Sequence, residues 1–488
     1  MNLTIKILIS ILVFTQIYGQ TVYEEILYEN GQEIDTFAYQ LPENFNPDNI
    51  YPLLIAFHQW GGNHLSTFST TFDEEANSRN WIFMSPFGGS SNNYNHQEAQ
   101  EMVKKAIEWL MDNYHIDKNR IYAVGGSMGG ASGMIYANNH LNPNEPMIAA
   151  TASASGILDC ERRAIEMDGN NSMTEWFGGN YDEVPFEYHR NSAVYFEDYS
   201  QSMHYNLKDT PLYLDFGISE PHRIHAEDLY NLMIDYNNYL WIDTIPTGSH
   251  GYSVIDENHT CDWLSQFELQ DNPDYVNLNL DEPNRAYWLE PFNQFQNDEF
   301  IRIIARKNLD NNSYRPESYS IYLDEYLNSD SLILHILDEN HSHNNTISLY
   351  LDVGTTNIGF SGNYINYLNQ DSVYINTIDS TYACNLINFN YNNDSTIVWA
   401  ERYDLINNNI CLSDSPYYLT FLFPNTIDEY NDINQDGLWN VLDILLLVNH
   451  IIELNTLTND QATYADLNND GFINILDIMN IVIIILTT

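Results

Sequence analysis

One serine, Ser127, sits inside the stretch RIYAVGGSMGGASGMIYA (residues 120–137), ringed by glycines and preceded by a short apolar run. A serine hydroxyl is a poor nucleophile unless a histidine takes its proton and a carboxylate holds that histidine in one tautomer. To present such a hydroxyl, the chain must turn sharply from a strand into a helix, and small residues on both sides let the helix press against the sheet. Gly125, Ser127 and Gly129 supply a G-x-S-x-G turn, and Gly130, Ala131 and Gly133 keep the following helix close.

The remaining groups for this chemistry are expected further along the chain, the acid after a later strand and the histidine last. PLYLDFGISEPH (residues 211–222) supplies the acid: Glu220 lies in the loop, whereas Asp215 lies within the strand, so Glu220 is preferred and Asp215 is the competitor. IPTGSHGYS (residues 245–253) places His250 after a strand between small residues, with His259 in DENHTCDW as the rival base. An oxyanion site needs two N–H donors. The loop in IAFHQWGGN offers the backbone of Gln59 or Trp60, and Met128 at the helix start offers the second; His58 is read as a support for that loop.

These residues need a scaffold, and the surrounding sequence predicts one. A hairpin turning at Asn30 and Gly31 precedes the buried runs PLLIAFH, WIFMSP, RIYAVGG, MIAATASAS, PLYLDFG and YLWIDTIP. Ala99, Met102, Val103, Ala106, Ile107, Leu110 and Met111 fall on one helical face. Strands alternating with helices over residues 21–270 predict a mostly parallel sheet with helices on both faces. The segment 157–209 reads as a lid, whose Trp176, Phe177, Tyr181, Phe186 and Tyr188 either line an apolar pocket or form a small satellite core.

With FHQWGGN, IDKNRIYAVGGSMGG, DFGISEP and SHGYS in order, residues 21–270 resemble the α/β-hydrolase superfamily. The resemblance is to the secreted esterases related to feruloyl and acetylxylan esterases, polyhydroxybutyrate depolymerases and prolyl-oligopeptidase-like hydrolases. Gln59 stands where the usual H-G-x-G-G-N loop has its first glycine, and Glu220 where aspartate is usual. The resemblance implies a serine hydrolase cleaving carboxylic esters, with acyl or feruloyl groups on polysaccharide as expected substrates. A peptidase or a polyester depolymerase is the alternative on the same scaffold, and a carbohydrate-binding or adhesion protein with an inactive hydrolase shell is the non-enzymatic one.

The C-terminal sequence carries a repeat. DINQDGLWNVLDILLLVNHII returns as DLNNDGFINILDIMNIVIIIL, each with the loop pattern D-x-N-x-D-G-x-x-N-x-x-D. Calcium, a hard cation, takes about six to eight oxygens, so alternate residues of a tight loop must turn carboxylates and amides inward, with glycine at the sharp bend. Asp432, Asn434, Asp436, Asn440 and Asp443 form one such set and Asp466, Asn468, Asp470, Asn474 and Asp477 the other, with Leu438 and Phe472 offering backbone carbonyls. Residues 427–488 thus resemble the dockerin type I module, a small helical EF-hand-like pair with two structural calcium sites and a cohesin-like or cell-surface partner.

Between these parts, residues 275–424 break into short β-rich runs such as SYSIYLDEY, SLILHIL and TISLYLDV separated by Asn, Asp and Ser, which predicts an antiparallel β-sandwich. His341 and His343 there are candidate metal contacts or solvated loop histidines.

The composition sets limits on partners. With 17 Lys plus Arg against 68 Asp plus Glu, the formal net charge is −51, which repels nucleic acid and anionic lipid. Residues 1–19, with Lys6, the apolar run ILISILVF and a small residue before Gln20, predict an export signal and hence secretion. No later run reaches membrane-spanning length. In an exported chain, Cys160, Cys261, Cys384 and Cys411 favour the pairs Cys160–Cys261 and Cys384–Cys411, two other pairings being open.

Overall fold

The computed structural model describes residues 20–168, 172–245, 248–312, 315–329 and 331–335, together with short stretches between 346 and 478. The expected export signal, His341, His343, Cys384 and Cys411 lie outside the described residues.

The first sheet has eight strands: β1 (Val22–Glu29), β2 (Gln32–Gln40), β3 (Tyr51–Phe57), β4 (Ile82–Pro86), β5 (Ile116–Gly126), β6 (Ala150–Ala154), β7 (Leu212–Gly217) and β8 (Leu240–Ile245). Their order is β1-β2-β4-β3-β5-β6-β7-β8. The β1–β2 hairpin and its junction with β4 are antiparallel, and every later pairing is parallel. The hairpin turns where expected, with Asn30 at φ 50° and Gly31 at φ 82°, as a two-residue turn between twisted strands requires.

The helices are α1 (Phe72–Ser78), α2 (Gln97–Asn113), α3 (Met128–Asn139), α4 (Cys160–Glu166), α5 (Met173–Phe177), α6 (Pro185–Arg190), α7 (Arg223–Met233) and α8 (Glu257–Leu264). Because side chains alternate across a strand, the central strands must be apolar on both faces to lie between two helical layers. Leu53 and Ile55 pack with Val103, Ile107 and Leu110 of α2, Met134 of α3 and Leu229 of α7. Leu54 and Ala56 face the other way, toward Phe72 of α1 and Cys261 and Leu264 of α8. That two-sided burial is why PLLIAF reads as a continuous apolar run. Each fully buried Leu or Ile in it contributes about 1.5–3 kcal/mol.

The chain divides into two compact units. One comprises the described residues of Met1–Arg306, Tyr322–His335 and Leu351–Gly359, and the other those of Lys307–Ile321, Ile336–Tyr350 and Phe360–Thr488. Within the first, β9 (Tyr275–Leu280) pairs antiparallel with residues 301–306 at the start of β11 (Ile301–Asn312), and β10 (Leu289–Pro291) pairs antiparallel with the strand Ser331–Leu334. This unit runs past residue 270 without a break, since Asn206 donates its amide to Asn279 O at 2.9 Å and accepts the Asn279 N–H at 2.9 Å. In the second unit, Val373–Asn376 pairs antiparallel with Thr381–Ala383 and with Tyr417–Leu422, and helix α9 (Val441–Ile451) follows. Leu447 of α9 packs with Ile433 and Ala465, so the apolar residues of the C-terminal repeats bury one another.

The pairing of Cys160 with Cys261 is corrected by the structure. Both are buried free thiols in separate clusters: Cys160 lies with Met128, Met173 and Tyr188, and Cys261 with Tyr122, Tyr213 and Leu264 across the sheet. The Cys160 thiol donates to Asn191 O at 3.1 Å, and burial pushes its pKa up to about 12. Alkylation of the denatured, unreduced protein followed by peptide mapping should therefore find both Cys160 and Cys261 modified. A disulfide-linked peptide joining them would contradict this packing.

Candidate active site

Ser127 stands between β5 and α3 with φ 56° and ψ −121°, a conformation that a non-glycine residue adopts only when its surroundings impose it. The backbone on both sides holds it there: Ser127 N–H donates to Ala154 O at 2.8 Å, and its own carbonyl accepts from Gly130 N–H at 2.9 Å and Ile157 N–H at 3.2 Å. Such a tight turn leaves no room for side chains. A Cβ on Gly125 would fall on the Gly129 carbonyl, and one on Gly129 would strike the carbonyls of Phe57 and His58.

His250 follows β8 and precedes the short turn 251–254, where Ser253 fixes its backbone by accepting the His250 N–H at 3.2 Å and donating to its carbonyl at 2.8 Å. Tyr252 ties this loop to the end of β3, its hydroxyl donating to Phe57 O at 2.6 Å. The imidazole lies between the other two groups: Nε2 is 2.7 Å from Ser127 Oγ, and Nδ1 is 2.7 Å from Glu220 Oε2. An ionised carboxylate can only accept, so Nδ1 carries the proton and Nε2 is the acceptor for the serine O–H.

Glu220 is held from several sides. Its Oε1 accepts from Ser155 Oγ at 2.6 Å and from Gly217 N–H at 2.8 Å. Burial works against its charge, but the hydrogen bonds from His250, Ser155 and Gly217 outweigh burial and hold its pKa below the ordinary glutamate value. The side chain is only 1% exposed, against 38% for His250, so the fixed charge lies inside and the mobile proton near solvent.

Neither competitor joins this set. Asp215 is buried in β7, where burial first and then Asp243 push its pKa up to about 7. His259 lies in α8, with Nδ1 3.1 Å from the Tyr213 hydroxyl and its ring against Trp241.

The oxyanion candidates lie on the loop after β3 and at the start of α3. The carbonyls of Phe57 and His58 abut Gly129, which sets the following loop beside the start of α3. Gln59 extends its side-chain oxygen toward Gly126 and Gly251, and its carbonyl accepts Gly62 N–H at 2.9 Å. The His58 ring nitrogens lie 2.9 Å from the carbonyls of Gln59 and of Phe87, as a support for the loop should. Among the described residues, no protein acceptor takes the backbone N–H of Gln59, Trp60 or Met128. Trp60 is exposed and donates its indole N–H to Ser172 Oγ at 3.2 Å.

Above the turn, Phe177 and Tyr188 form a satellite core with Met128, Tyr94 and Met173, and Phe186 packs with Met203 and Phe300. Trp176 stacks on His96 with ring centroids 4.6 Å apart. The aromatic residues of 157–209 therefore serve mainly to fix that segment over the start of α3. A cavity of about 600 Å³ is lined by residues such as Lys104, His140 and Arg285, and Ser127 is not among them.

Two supporting residues escaped the sequence reading. Ser155 (φ 54°) ends the neighbouring strand and braces Glu220, and Tyr252 locks the His250 loop. The positions after parallel strands in TASASG and SHGYS are the signal that points to them.

Of the calcium ligand sets, Asp432, Asn434, Asp436, Leu438, Asn440, Asp466, Asn468, Asp470 and Phe472 lie outside the described residues, and Asp443 falls within α9. Asn474 and Asp477 are placed: Asp477 is fully buried, and its Oδ2 accepts Asn474 N–H at 2.8 Å. A buried carboxylate at the last loop position, with an all-oxygen donor set, fits a hard cation.

Among solved structures, the chain is similar to the fluorophosphonate-binding serine hydrolase F of Staphylococcus aureus, at 14% identity and TM-score 0.38, covering 50% of this chain and 98% of that one. It is similar to a ferulic acid esterase at 15% identity and TM-score 0.37, covering 51% of this chain and 96% of that one. An acylaminoacyl peptidase of Pyrococcus horikoshii aligns at 15% identity and TM-score 0.38, with 51% of this chain and 40% of that one covered. No curated protein matches the chain. Residues 430–485 match the family model of the Dockerin type I domain.

Proposed function

We propose that this protein is a secreted serine hydrolase that cleaves carboxylic esters, with Ser127 as nucleophile, His250 as base and Glu220 as orienting acid. The observation that carries the reading is the unbroken line from Ser127 Oγ through His250 to Glu220, with two contacts of 2.7 Å. As Ser127 Oγ attacks the ester carbonyl, its proton passes to His250 Nε2, and Glu220 stabilises the imidazolium that results. The N–H of Met128 and that of Gln59 or Trp60 receive the charge developing on the carbonyl oxygen. His250 then returns the proton to the departing alcohol, and a water molecule repeats the sequence on the acyl-enzyme.

The dockerin type I domain supports a substrate on polysaccharide, such as an acetyl or feruloyl ester, and a cohesin or a cell surface as partner outside the cell. Peptide and polyester bonds present a carbonyl of the same geometry, so a panel of acyl esters, feruloyl sugars and a proline-linked peptide ranks these alternatives. An inactive shell that only binds carbohydrate would turn over none of them. In the C-terminal domain, Asp432, Asn434, Asp436, Asn440 and Asp443, and likewise Asp466, Asn468, Asp470, Asn474 and Asp477, would hold calcium with the carbonyls of Leu438 and Phe472. The ion would supply cross-linking charge that offsets repulsion among six aspartates. The strands over 275–424 are read as a β-sandwich, its first part, through Arg306, lying in the same compact unit as the eight-stranded sheet.

Two outcomes check this assignment. Ser127→Ala and His250→Ala should each lower ester turnover by about 10⁴- to 10⁶-fold with little change in thermal stability, while His259→Ala leaves turnover within about threefold. Retention of a tenth of the activity in Ser127→Ala would move the nucleophile elsewhere. In limited proteolysis of the full chain, a chelator should open cleavage sites within 427–488, and calcium should close them while esterase activity stays level. Equal resistance with and without calcium would show that the apolar helices fold unaided.

A further inference from the structure

Beside the triad lies a second group of side chains to which the hydrolytic reading gives no task. Glu166 at the end of α4, His222 just before α7 and His225 in its first turn bring one donor atom each within 4.8 Å of the others. His222 Nδ1 is 3.3 Å from Glu166 Oε2, and His225 Nε2 is 3.8 Å from Glu166 Oε1. Neither contact is a hydrogen bond. Among the described residues, His222 Nδ1 and both ring nitrogens of His225 are buried without a hydrogen-bond partner, and the His225 side chain is 0% exposed.

Leaving a buried imidazole with both nitrogens unpaired costs about 1–3 kcal/mol for each lost partner, so a fold that encloses one must recover that cost. An aromatic or aliphatic side chain would fill the same space at no such cost. Arg163 occupies only one side of Glu166, with Nη1 3.1 Å from Oε2, and leaves Oε1 facing His225.

We propose that Glu166, His222 and His225 form a binding site for a zinc-like divalent transition cation. Two imidazoles and a carboxylate suit such an ion better than calcium, which prefers oxygen alone. Four-coordinate bonds of about 2.0–2.2 Å set donors roughly 3.4 Å apart, close to the 3.3 and 3.8 Å that separate Glu166 from the two imidazoles. Three protein ligands leave one position for water or another small ligand. The ion would clamp α4 of the covering segment to His222, two residues beyond Glu220, and to the first turn of α7. His222 also lies against the base, its ring centroid 5.4 Å from that of His250.

Zinc and cobalt titration of the purified full chain tests this, with calcium held saturating so that the C-terminal loops are filled. His225 is buried, so the variants are Glu166→Ala and His222→Ala, both checked for a native circular-dichroism spectrum. Wild type should bind one zinc more than either variant, or bind it about tenfold or more tighter, and cobalt should give the intense visible bands of a four-coordinate ion in wild type alone. Zinc should also raise the melting temperature of wild type and not of the variants. Equal zinc binding in all three proteins, or cobalt bands that survive both substitutions, would overturn the proposal. The readouts are binding and spectra, so they stand or fall independently of ester turnover.

Discussion

Everything at the site depends on one steric constraint, the passage of the chain from β5 into α3 through a residue at φ 56°. A serine can occupy that conformation only if neighbouring backbone replaces the hydrogen bonds that a regular strand would make, and Ala154, Gly130 and Ile157 do so. The helix must then start almost on the sheet, which removes the space for side chains at Gly125 and Gly129. Close approach in turn brings the Phe57–His58 carbonyls and the loop after β3 alongside the start of α3. The helix N-terminus adds unpaired N–H groups at the same point.

The second requirement is electrostatic. A carboxylate that orients a histidine must stay charged while shielded from water, and burial alone would neutralise it. Glu220 meets this with three donors, whereas Asp215, buried beside Asp243, is pushed the other way. The loop position of Glu220 gives it the extra reach of a glutamate, and Ser155 from the neighbouring strand fixes the carboxyl that reach makes mobile. The satellite core of 157–209 rests on Met128, so the covering segment and the start of α3 are mechanically joined.

Much of this was legible in the sequence because its signals are local. The two-sided strands read as apolar runs, the turn as glycines around Ser127, and the loops after β7 and β8 as the places for Glu220 and His250. What escaped depends on contacts between residues far apart in the chain. Cys160 and Cys261 suit a disulfide by count alone, and only the fold shows them in separate clusters. Glu166 is more than fifty residues from His222 and His225, and nothing in either stretch marks them as neighbours. Ser155 looks like any serine at a strand end until its partner Glu220 is placed. The aromatic residues after Ile157 carry no periodicity that separates a pocket lining from a small core, and their mutual packing decides it.

The central claim is that Ser127 is the one serine whose hydroxyl is activated by its surroundings. A fluorophosphonate reagent modifies activated serines covalently, so the most direct measurement is peptide mapping of the intact protein after brief exposure to it. The account predicts one adduct per chain, located on the peptide containing Ser127, and its loss when His250 is replaced by alanine. An adduct on a different serine, or equal labelling of Ser127 without His250, would contradict it.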